Sequence, residues 1–147
     1  MSHAYARNYV HLIFSTAELR KKIVPVLQPK LWAKLEDIAR AEGFEVTAVG
    51  GTADHVHVLV SLPPRFSVAN VVRVLKANSS RWMNETGHLF AWQQGYGAFS
   101  VSASNVEAVK EYIRQQAGHH AQRTYEDEFR AILKKHGVVF SGERVFG

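Results

Sequence analysis

The sequence predicts an α+β protein with a ferredoxin-like split βαβ fold, in which two helices cover one face of an antiparallel sheet. Three observations predict this class. Short β-branched and aromatic segments alternate with longer segments of helical periodicity, the main elements follow the order β-α-β-β-α-β, and additional C-terminal helices follow them. The chain has 147 residues, enough for one hydrophobic core, and we expect a single domain over residues 1–147.

The first half of the chain supplies three strands and one helix. Residues 8–15 are rich in β-branched and aromatic side chains and predict the first strand. Residues 30–41 carry leucine and isoleucine at helical spacing, and Gly43 follows them as a stop signal. Residues 44–49 and 54–62 predict the second and third strands, and Gly50 and Gly51 are predicted to form the turn between them.

The second half supplies a long helix and the fourth strand. Ser67 can cap a helix that continues to about residue 86, where Gly87 ends it. Apolar side chains recur along this segment at helical spacing and predict its buried side. Residues 96–103 then predict the last strand of the sheet.

Two capping boxes mark the helices that follow the sheet. Ser104 and Glu107 are spaced to satisfy each other's backbone donors, which predicts a helix from residue 105 to about residue 117. Thr124 and Asp127 offer the same arrangement for a last helix. These helices are additions to the β-α-β-β-α-β core.

Two histidines interrupt the third predicted strand, in the segment ADHVHVLVSLPP. Because side chains alternate along a strand, His55 and His57 point to one face and the valines at 56, 58 and 60 to the other. We expect the valines to face the two main helices and the histidines to face the uncovered side. Residues two apart on a strand are about 7 Å apart, so both imidazoles could bind one metal ion. On this pattern alone, a pair of half-buried, hydrogen-bonded histidines is the more common explanation.

A second pair of polar residues occurs in the helix that follows the fourth strand. Tyr112 and Gln116 are four residues apart, so they lie on the same face of the helix, at the edge of its apolar stripe. A side chain at such an edge can lean over an active site. Without the histidines, ordinary boundary packing is the simpler interpretation of Tyr112.

Composition restricts the chemistry and the partners. The chain contains no cysteine, so a metal ion must be held by nitrogen and oxygen ligands. The formal charge of +5 favours a polyanionic partner. The apolar runs are strand-sized and the N-terminal segment lacks the apolar core of a signal peptide, so we expect a soluble, cytoplasmic protein without membrane contact. The candidate nucleic-acid contacts are Arg20, Lys21, Lys22, Arg65, Arg73, Lys76 and Arg81.

The segments DHVHVLVSLPP, WQQGYGAFSVS and YIRQQAGHH together resemble a known family. They are similar to the single-tyrosine HUH transposases of small insertion sequences that move as single-stranded DNA, and to their relatives that act on repeated palindromes. The motifs occur in the order and approximate spacing of that family and cover nearly the whole chain. The resemblance implies that Tyr112 is the nucleophile, and that His55, His57 and Gln116 bind a divalent metal ion, Mg²⁺ or Mn²⁺.

The resemblance also implies a reaction and partners. The protein would cleave and rejoin single-stranded DNA at ends flanked by hairpins, through a 5′-phosphotyrosine intermediate and without a nucleotide cofactor. It would act as a homodimer in a bacterial cytoplasm. The general base is not identified: Asp54 either supports its loop or reaches the ion, and His11 is interpreted as a packed strand residue.

The same residues bear on three other classes of protein. A domesticated relative that nicks or binds chromosomal palindromes, without mobilising itself, stays open. A noncatalytic RNA-binding module of this fold would need stacking aromatic residues where the third strand has His55, His57 and Leu59. A two-motif histidine phosphoesterase would need His-x-Ser or His-x-Thr motifs, and the chain has neither.

Overall fold

A four-stranded antiparallel sheet forms the centre of the protein. The structure is a computed structural model and describes residues 5–119 and 123–140. The strands are β1 (Tyr9–Ser15), β2 (Glu45–Gly51), β3 (His55–Ser61) and β4 (Gly97–Val101). They are arranged in the order β2-β3-β1-β4, so β1 and β3 are the two central strands. Every neighbouring pair is antiparallel, which confirms the predicted sheet. The predicted turn at Gly50 and Gly51 is wrong, because both glycines pair with β3 at the end of β2 and the chain turns after them.

The helices lie in two layers, one on each face of the sheet. They are α1 (Gln28–Glu42), α2 (Val68–Glu85), α3 (Val106–Arg114), α4 (Gln116–His119) and α5 (Tyr125–Lys135). Two short 3₁₀ turns, Ala17–Leu19 and Ala103–Asn105, follow β1 and β4. The element order therefore confirms the predicted β-α-β-β-α-β core with helices added after it.

The larger core lies between the sheet and the helices α1 and α2. The β3 valines at positions 56, 58 and 60 are fully buried, as the alternation of side chains predicts. They belong to one cluster with apolar side chains of both helices, among them Leu31, Leu35, Val71, Val72 and Leu75. Burying a side chain of this size contributes about 1.5–3 kcal/mol, so this layer holds the sheet and helices together.

The opposite face of the sheet, which carries the histidines, is covered by α3 and α5. Ile113 of α3 packs with Leu59 of β3, and Phe129 of α5 packs with Ile13 of β1 and Phe99 of β4. The two main helices leave this face free, as predicted, and the additional helices then bury it. The physical reason is that this face also carries large apolar side chains, which are removed from water when the helices dock.

One predicted capping box is wrong. Ser104 lies inside the 3₁₀ turn Ala103–Asn105, its hydroxyl is 3.1 Å from that of Ser102, and α3 begins at Val106. Because the chain is already turning, Ser104 is not in the extended conformation that an N-cap residue adopts. The helix predicted to end near residue 117 is also interrupted at Gln115 and continues as the single turn α4.

The other two predicted helix starts are confirmed. The Ser67 hydroxyl accepts a hydrogen bond from the backbone N–H of Asn70 at 3.1 Å. The Thr124 hydroxyl accepts one from the backbone N–H of Asp127 at 3.2 Å. Each cap satisfies a backbone donor that has no partner within its own helix.

Two glycines let the second helical layer approach the sheet closely. A Cβ atom on Gly50 of β2 would collide with the backbone carbonyl of Ile113 in α3, and one on Gly97 of β4 would meet the ring of Phe129 in α5. Ile113 is the neighbour of Tyr112 in sequence. The contact at Gly50 therefore sets how near the tyrosine helix lies to the sheet.

Substitution of Gly50 by alanine is expected to destabilise the protein. The added methyl group meets backbone, which cannot rotate away, so α3 must shift; overpacking of this kind costs about 1–3 kcal/mol. Urea denaturation followed by circular dichroism measures the change. An unchanged denaturation midpoint would contradict the close approach of α3 to β2.

Candidate active site

The two histidines of β3 lie side by side on the face predicted for them. Both side chains are fully buried, and their ring centroids are 5.1 Å apart. The Nε2 atoms of His55 and His57 lie 3.5 Å and 3.0 Å from one carboxylate oxygen of Glu128. The pair is therefore a shared polar site inside an otherwise apolar layer.

Glu128 is the residue at this site that sequence reasoning missed. It belongs to α5, whose Tyr125, Phe129 and Leu133 pack on the same face of the sheet, and its carboxylate is fully buried. One of its oxygens accepts hydrogen bonds from the Tyr112 hydroxyl and, at 3.1 Å, from the Gln116 amide nitrogen. The signal that could have found it is a carboxylate on the apolar side of a helix, because such a group is rarely buried without a partner.

The histidines and the glutamate have the composition of a metal site. One ligand atom from each of His55, His57 and Glu128 can be chosen so that all three lie within 4.8 Å of one another. The Gln116 amide oxygen is 3.1 Å from His55 Nε2, so the predicted third ligand adjoins the cluster. Two imidazoles with a carboxylate and an amide oxygen suit a divalent cation, and the buried negative charge favours one.

The outer nitrogen of each imidazole is held by a second residue. Nδ1 of His55 lies 2.9 Å from the Asp54 carboxylate and 3.0 Å from the Thr52 hydroxyl. Nδ1 of His57 lies 2.8 Å from Nε2 of His11 on β1. Such partners fix the ring orientation and leave Nε2 for a ligand. Asp54 therefore contacts the site through His55, and His11, packed in its strand as predicted, also orients His57.

Burial and hydrogen bonding shift the pKa values at this site in opposite directions. Burial alone would raise the pKa of the Glu128 carboxyl, but hydrogen bonds from His55, His57 and Tyr112 hold it well below its usual range. Burial lowers the pKa of His55, but hydrogen bonds with Asp54, Glu128 and Gln116 outweigh it and raise that pKa. The Glu128 side chain is therefore a carboxylate at neutral pH.

Tyr112 and His11 are both kept neutral. Burial and the hydrogen bond to Glu128 raise the pKa of Tyr112 to about 12, so its hydroxyl is protonated and donates to that carboxylate. Burial and the neighbouring His57 lower the pKa of His11 to about 3. A neutral His11 can accept the proton of His57 Nδ1, which is the tautomer that a metal-binding Nε2 requires.

The metal-free protein is expected to lose stability as the pH falls below about 6.5. The pKa of His11 drops on folding from 6.5 to about 3, so its contribution is complete above 6.5 and is lost towards 3. The pKa of Glu128 also drops on folding, so its contribution to stability is lost as the pH falls below its ordinary pKa of 4.5. His55, with a raised pKa, has the opposite sign and loses its contribution as the pH rises above 6.5.

Thermal denaturation in a chelating buffer at several pH values measures this dependence. The variant His11→Gln keeps a polar group of similar size, and it should show a flatter profile between pH 6.5 and 4.5, where Glu128 does not yet titrate. A midpoint that stays level or rises in that range for the unmodified protein would contradict the burial of a neutral His11.

Tyr112 lies between the buried cluster and a groove on the surface. Its ring is half-buried, and its centroid is 5.8 Å from that of His57 and 6.4 Å from that of His11. It also lines a cavity of about 490 Å³ between β4, α3 and α5. The structure thus brings Tyr112, Gln116 and both histidines together within one chain.

Four of the seven predicted nucleic-acid contacts lie on the other side of the sheet from this site, and the other three follow β1. Arg73, Lys76 and Arg81 belong to α2, and Arg65 to the loop before it, on the opposite face of the sheet. The Lys76 ammonium donates to the carbonyl oxygens of Gln93 and Gly95, at 2.7 Å and 2.5 Å, and so also holds a loop. Arg20 pairs with Glu18, Lys22 is exposed, and Lys21 lines a second cavity beside Asp54. Contact of these cations with DNA stays a prediction.

Within residues 5–119 and 123–140, none of the helices combines the length and the apolar character needed to cross a membrane.

The fold and the site define a class of protein. It consists of ferredoxin-like α+β proteins in which a tyrosine on a helix meets a histidine pair on a central strand. Within that class, the chain belongs to the IS200-like transposase family, whose model, described as "Transposase IS200 like", matches residues 4–116. This match includes His55, His57, Tyr112 and Gln116, whereas Glu128 lies beyond it. The predicted family resemblance is confirmed.

Two relatives by sequence are transposases of insertion sequences. The chain is 29% identical over 124 residues to the ISDra2 transposase TnpA of Deinococcus radiodurans, covering 78% of this chain and 86% of that protein. It is 25% identical over 114 residues to the transposase for insertion sequence element IS200 of Salmonella typhimurium, covering 72% and 74% of the two chains.

Two solved structures share the fold. A crystal structure of a candidate transposase from Deinococcus radiodurans superimposes with a TM-score of 0.65 at 25% identity, covering 79% of this chain and 95% of that one. A REP-associated tyrosine transposase, solved bound to a REP hairpin, gives a TM-score of 0.62 at 14% identity, covering 92% and 86%. These likenesses confirm the predicted fold class.

Proposed function

We propose that the protein is a metal-dependent transposase that cleaves and rejoins single-stranded DNA at hairpin-flanked ends, with Tyr112 as the nucleophile. One observation carries this proposal: the Tyr112 hydroxyl is hydrogen-bonded to the carboxylate that also holds His55 and His57. A phenolic nucleophile beside a group that can take its proton, next to a candidate metal site, is the arrangement that covalent phosphodiester cleavage needs. The activity would reside in a single catalytic domain.

Each side chain has a role in the proposed reaction. The Tyr112 oxygen attacks the scissile phosphorus and its proton passes to Glu128, the acceptor of its hydrogen bond. The bond from phosphorus to the 3′ oxygen breaks, which leaves a 5′-phosphotyrosine link and, after protonation, a free 3′-hydroxyl. In a second step, the 3′-hydroxyl of a DNA end can attack the phosphotyrosine link and displace Tyr112. The energy of the phosphodiester bond is conserved, so no nucleotide cofactor is needed.

The residues around Glu128 are proposed to hold a divalent metal ion. His55, His57 and Gln116 would supply two imidazole nitrogens and an amide oxygen, and Glu128 would join them through the oxygen that faces both histidines. This nitrogen and oxygen set suits Mg²⁺ or Mn²⁺. When bound, such an ion would polarise the scissile phosphate. The other Glu128 oxygen, facing Tyr112 and Gln116, would remain to take the proton.

The partner is proposed to be single-stranded DNA that contains hairpins. Supporting this, one structural relative was solved bound to a REP hairpin, and the chain carries a net positive charge. Phosphate contacts are proposed for Arg20, Lys21, Lys22, Arg65, Arg73, Lys76 and Arg81. We also propose that two copies act together as a homodimer.

A second candidate function is a domesticated enzyme that nicks or binds chromosomal palindromes. The structural match to the REP-associated tyrosine transposase favours it, because that match covers 92% of this chain, whereas the family model ends at residue 116. The DNA around the gene distinguishes the two candidates. Subterminal palindromes that bound the gene support a mobile element, and scattered repeats support the domesticated role.

The proposal is tested with labelled hairpin oligonucleotides in single-stranded and fully duplex form. We expect a covalent adduct that survives denaturing electrophoresis with the single-stranded substrate and Mg²⁺ or Mn²⁺. The duplex and the chelated reaction should give none. Equal adduct formation on both substrates would contradict a single-strand enzyme, and formation in a chelator would contradict metal dependence.

A further inference from the structure

We propose that the groove beside Tyr112 binds one nucleotide of the single-stranded DNA, the nucleotide joined to the phosphate that Tyr112 attacks. This inference rests on the proposed function and adds a binding site to it. The groove has a volume of about 490 Å³ and lies between the edge strand β4 and the helices α3 and α5. Its size is within the range of about 300–1,000 Å³ that is usual for small-ligand sites.

The groove leads directly to the reacting groups. Tyr112 and His11 both line it, and the Tyr112 hydroxyl contacts the buried Glu128 carboxylate. A guanidinium nitrogen of Arg123 lies 3.5 Å from that hydroxyl. A phosphate that approaches the tyrosine oxygen therefore also approaches Arg123, which can bind it through two parallel hydrogen bonds.

The charge of the groove matches a phosphodiester strand. Arg123 and Lys135 lie along it, and both are exposed. Among the described residues that line the groove there is no carboxylate. The lining thus presents cations to a polyanion without acidic side chains that would repel it.

The same groove has a platform suited to a nucleobase. The ring of His136 stacks on that of Phe99, with centroids 4.5 Å apart and planes 29° apart. Phe99 is buried and His136 is exposed, so Phe99 supports one side of the imidazole from below. Unpaired bases stack on aromatic and histidine rings, and this contact tolerates any base. Ile132 and Val109 add apolar walls.

Two neutral polar residues also belong to the lining of this groove. They are Ser102, in the turn after β4, and Asn105, before α3. Hydroxyl and amide groups can donate to and accept from the edge of a base. Cations along the groove, a stacking ring and neutral hydrogen-bonding groups together favour a nucleotide over an apolar peptide.

The test combines substrate changes with two single substitutions. Hairpin oligonucleotides that carry an abasic site at each position flanking the cleavage point are reacted with the unmodified protein and with His136→Ala and Lys135→Ala. The matched control is Lys134→Ala, which removes an exposed lysine of the same helix that does not line the groove. Circular dichroism checks that each variant is folded.

One abasic position should slow adduct formation by the unmodified protein by about 5- to 100-fold, the effect expected from one lost base stack. In His136→Ala the same position should have little further effect, because the base has lost its platform. Lys135→Ala should reach half-maximal rate only at a higher DNA concentration, and its affinity for DNA should depend less on the salt concentration. The proposed site would be wrong if His136→Ala responded to each abasic position as Lys134→Ala does. It would also be wrong if Lys135→Ala reached half-maximal rate at the same DNA concentration as Lys134→Ala.

A second measurement separates this inference from the proposed function. Fluorescence anisotropy with a short, unstructured single strand reports binding without chemistry. If no adduct forms with any substrate, the proposed function fails, and the site then stands only if His136→Ala and Lys135→Ala bind this strand more weakly than Lys134→Ala. Equal binding by all three variants would overturn it.

Discussion

Tyr112→Phe is expected to abolish the covalent protein–DNA adduct while binding of the hairpin is retained. Phenylalanine keeps the ring that packs beside His57 and His11, and it lacks the hydroxyl that contacts Glu128. Loss of a nucleophile that forms a covalent intermediate typically lowers the rate by more than about 1,000-fold. Denaturing electrophoresis with a labelled hairpin measures the adduct, and a mobility-shift assay measures binding.

Tyr9→Phe is the matched control for this substitution. Tyr9 lies on β1, its hydroxyl accepts a hydrogen bond from Arg7, and its ring packs against the apolar cluster that includes Leu59 and Val106. We expect this variant to form adduct at nearly the unmodified rate. If Tyr112→Phe does the same, Tyr112 is not the nucleophile. If it also loses hairpin binding, the substitution has damaged more than the chemistry.

His57→Ala is expected to remove both adduct formation and stabilisation by metal. In the unmodified protein, Mn²⁺ should raise the thermal midpoint, because an ion that binds only the folded state shifts the equilibrium towards it. Without His57 one of the two proposed imidazole ligands is lost, and a Glu128 oxygen loses its 3.0 Å partner and keeps the longer contact with His55. A hydrogen bond to a charged group contributes about 1.5–3 kcal/mol, so a lower midpoint without metal is also expected.

A histidine in the loop after α2 provides the control for this substitution. His88 is partly exposed, contacts the Thr86 hydroxyl and lies outside the cluster, so His88→Ala should keep the response to Mn²⁺. Chelation of the unmodified protein tests the same point without any substitution. A midpoint that rises equally with Mn²⁺ in His57→Ala and in the unmodified protein would contradict a metal site at His55, His57 and Glu128.

The family model and the position of Glu128 explain why part of the site was hidden in the sequence. The two histidines and the pair Tyr112 and Gln116 fall in short segments with regular spacing, and the family match ends at residue 116. Glu128 lies twelve residues beyond Gln116, in an added helix. Of the three acidic residues in the first turn of α5, only Glu128 falls on the apolar side of the helix, and that weak signal does not show what the carboxylate meets.

The sequence by itself determined most of the secondary structure, the antiparallel fold, the face on which His55 and His57 lie, and the closeness of Tyr112 to Gln116, although the helix that carries them is interrupted at Gln115. These follow from local rules, because side chains alternate along a strand and return every 3.6 residues in a helix. The capping box at Ser104 failed because that rule describes an extended residue, and the turn after β4 prevents that conformation.

Only the tertiary structure decided which residues meet. It placed Glu128 against histidines 71 and 73 residues earlier in the chain, His11 against His57, and the groove of Lys135 and His136 beside Tyr112. Those contacts depend on how α5 docks on the sheet, which is set by the packing of apolar side chains from distant segments and by the small glycines beneath them. No local periodicity encodes that docking.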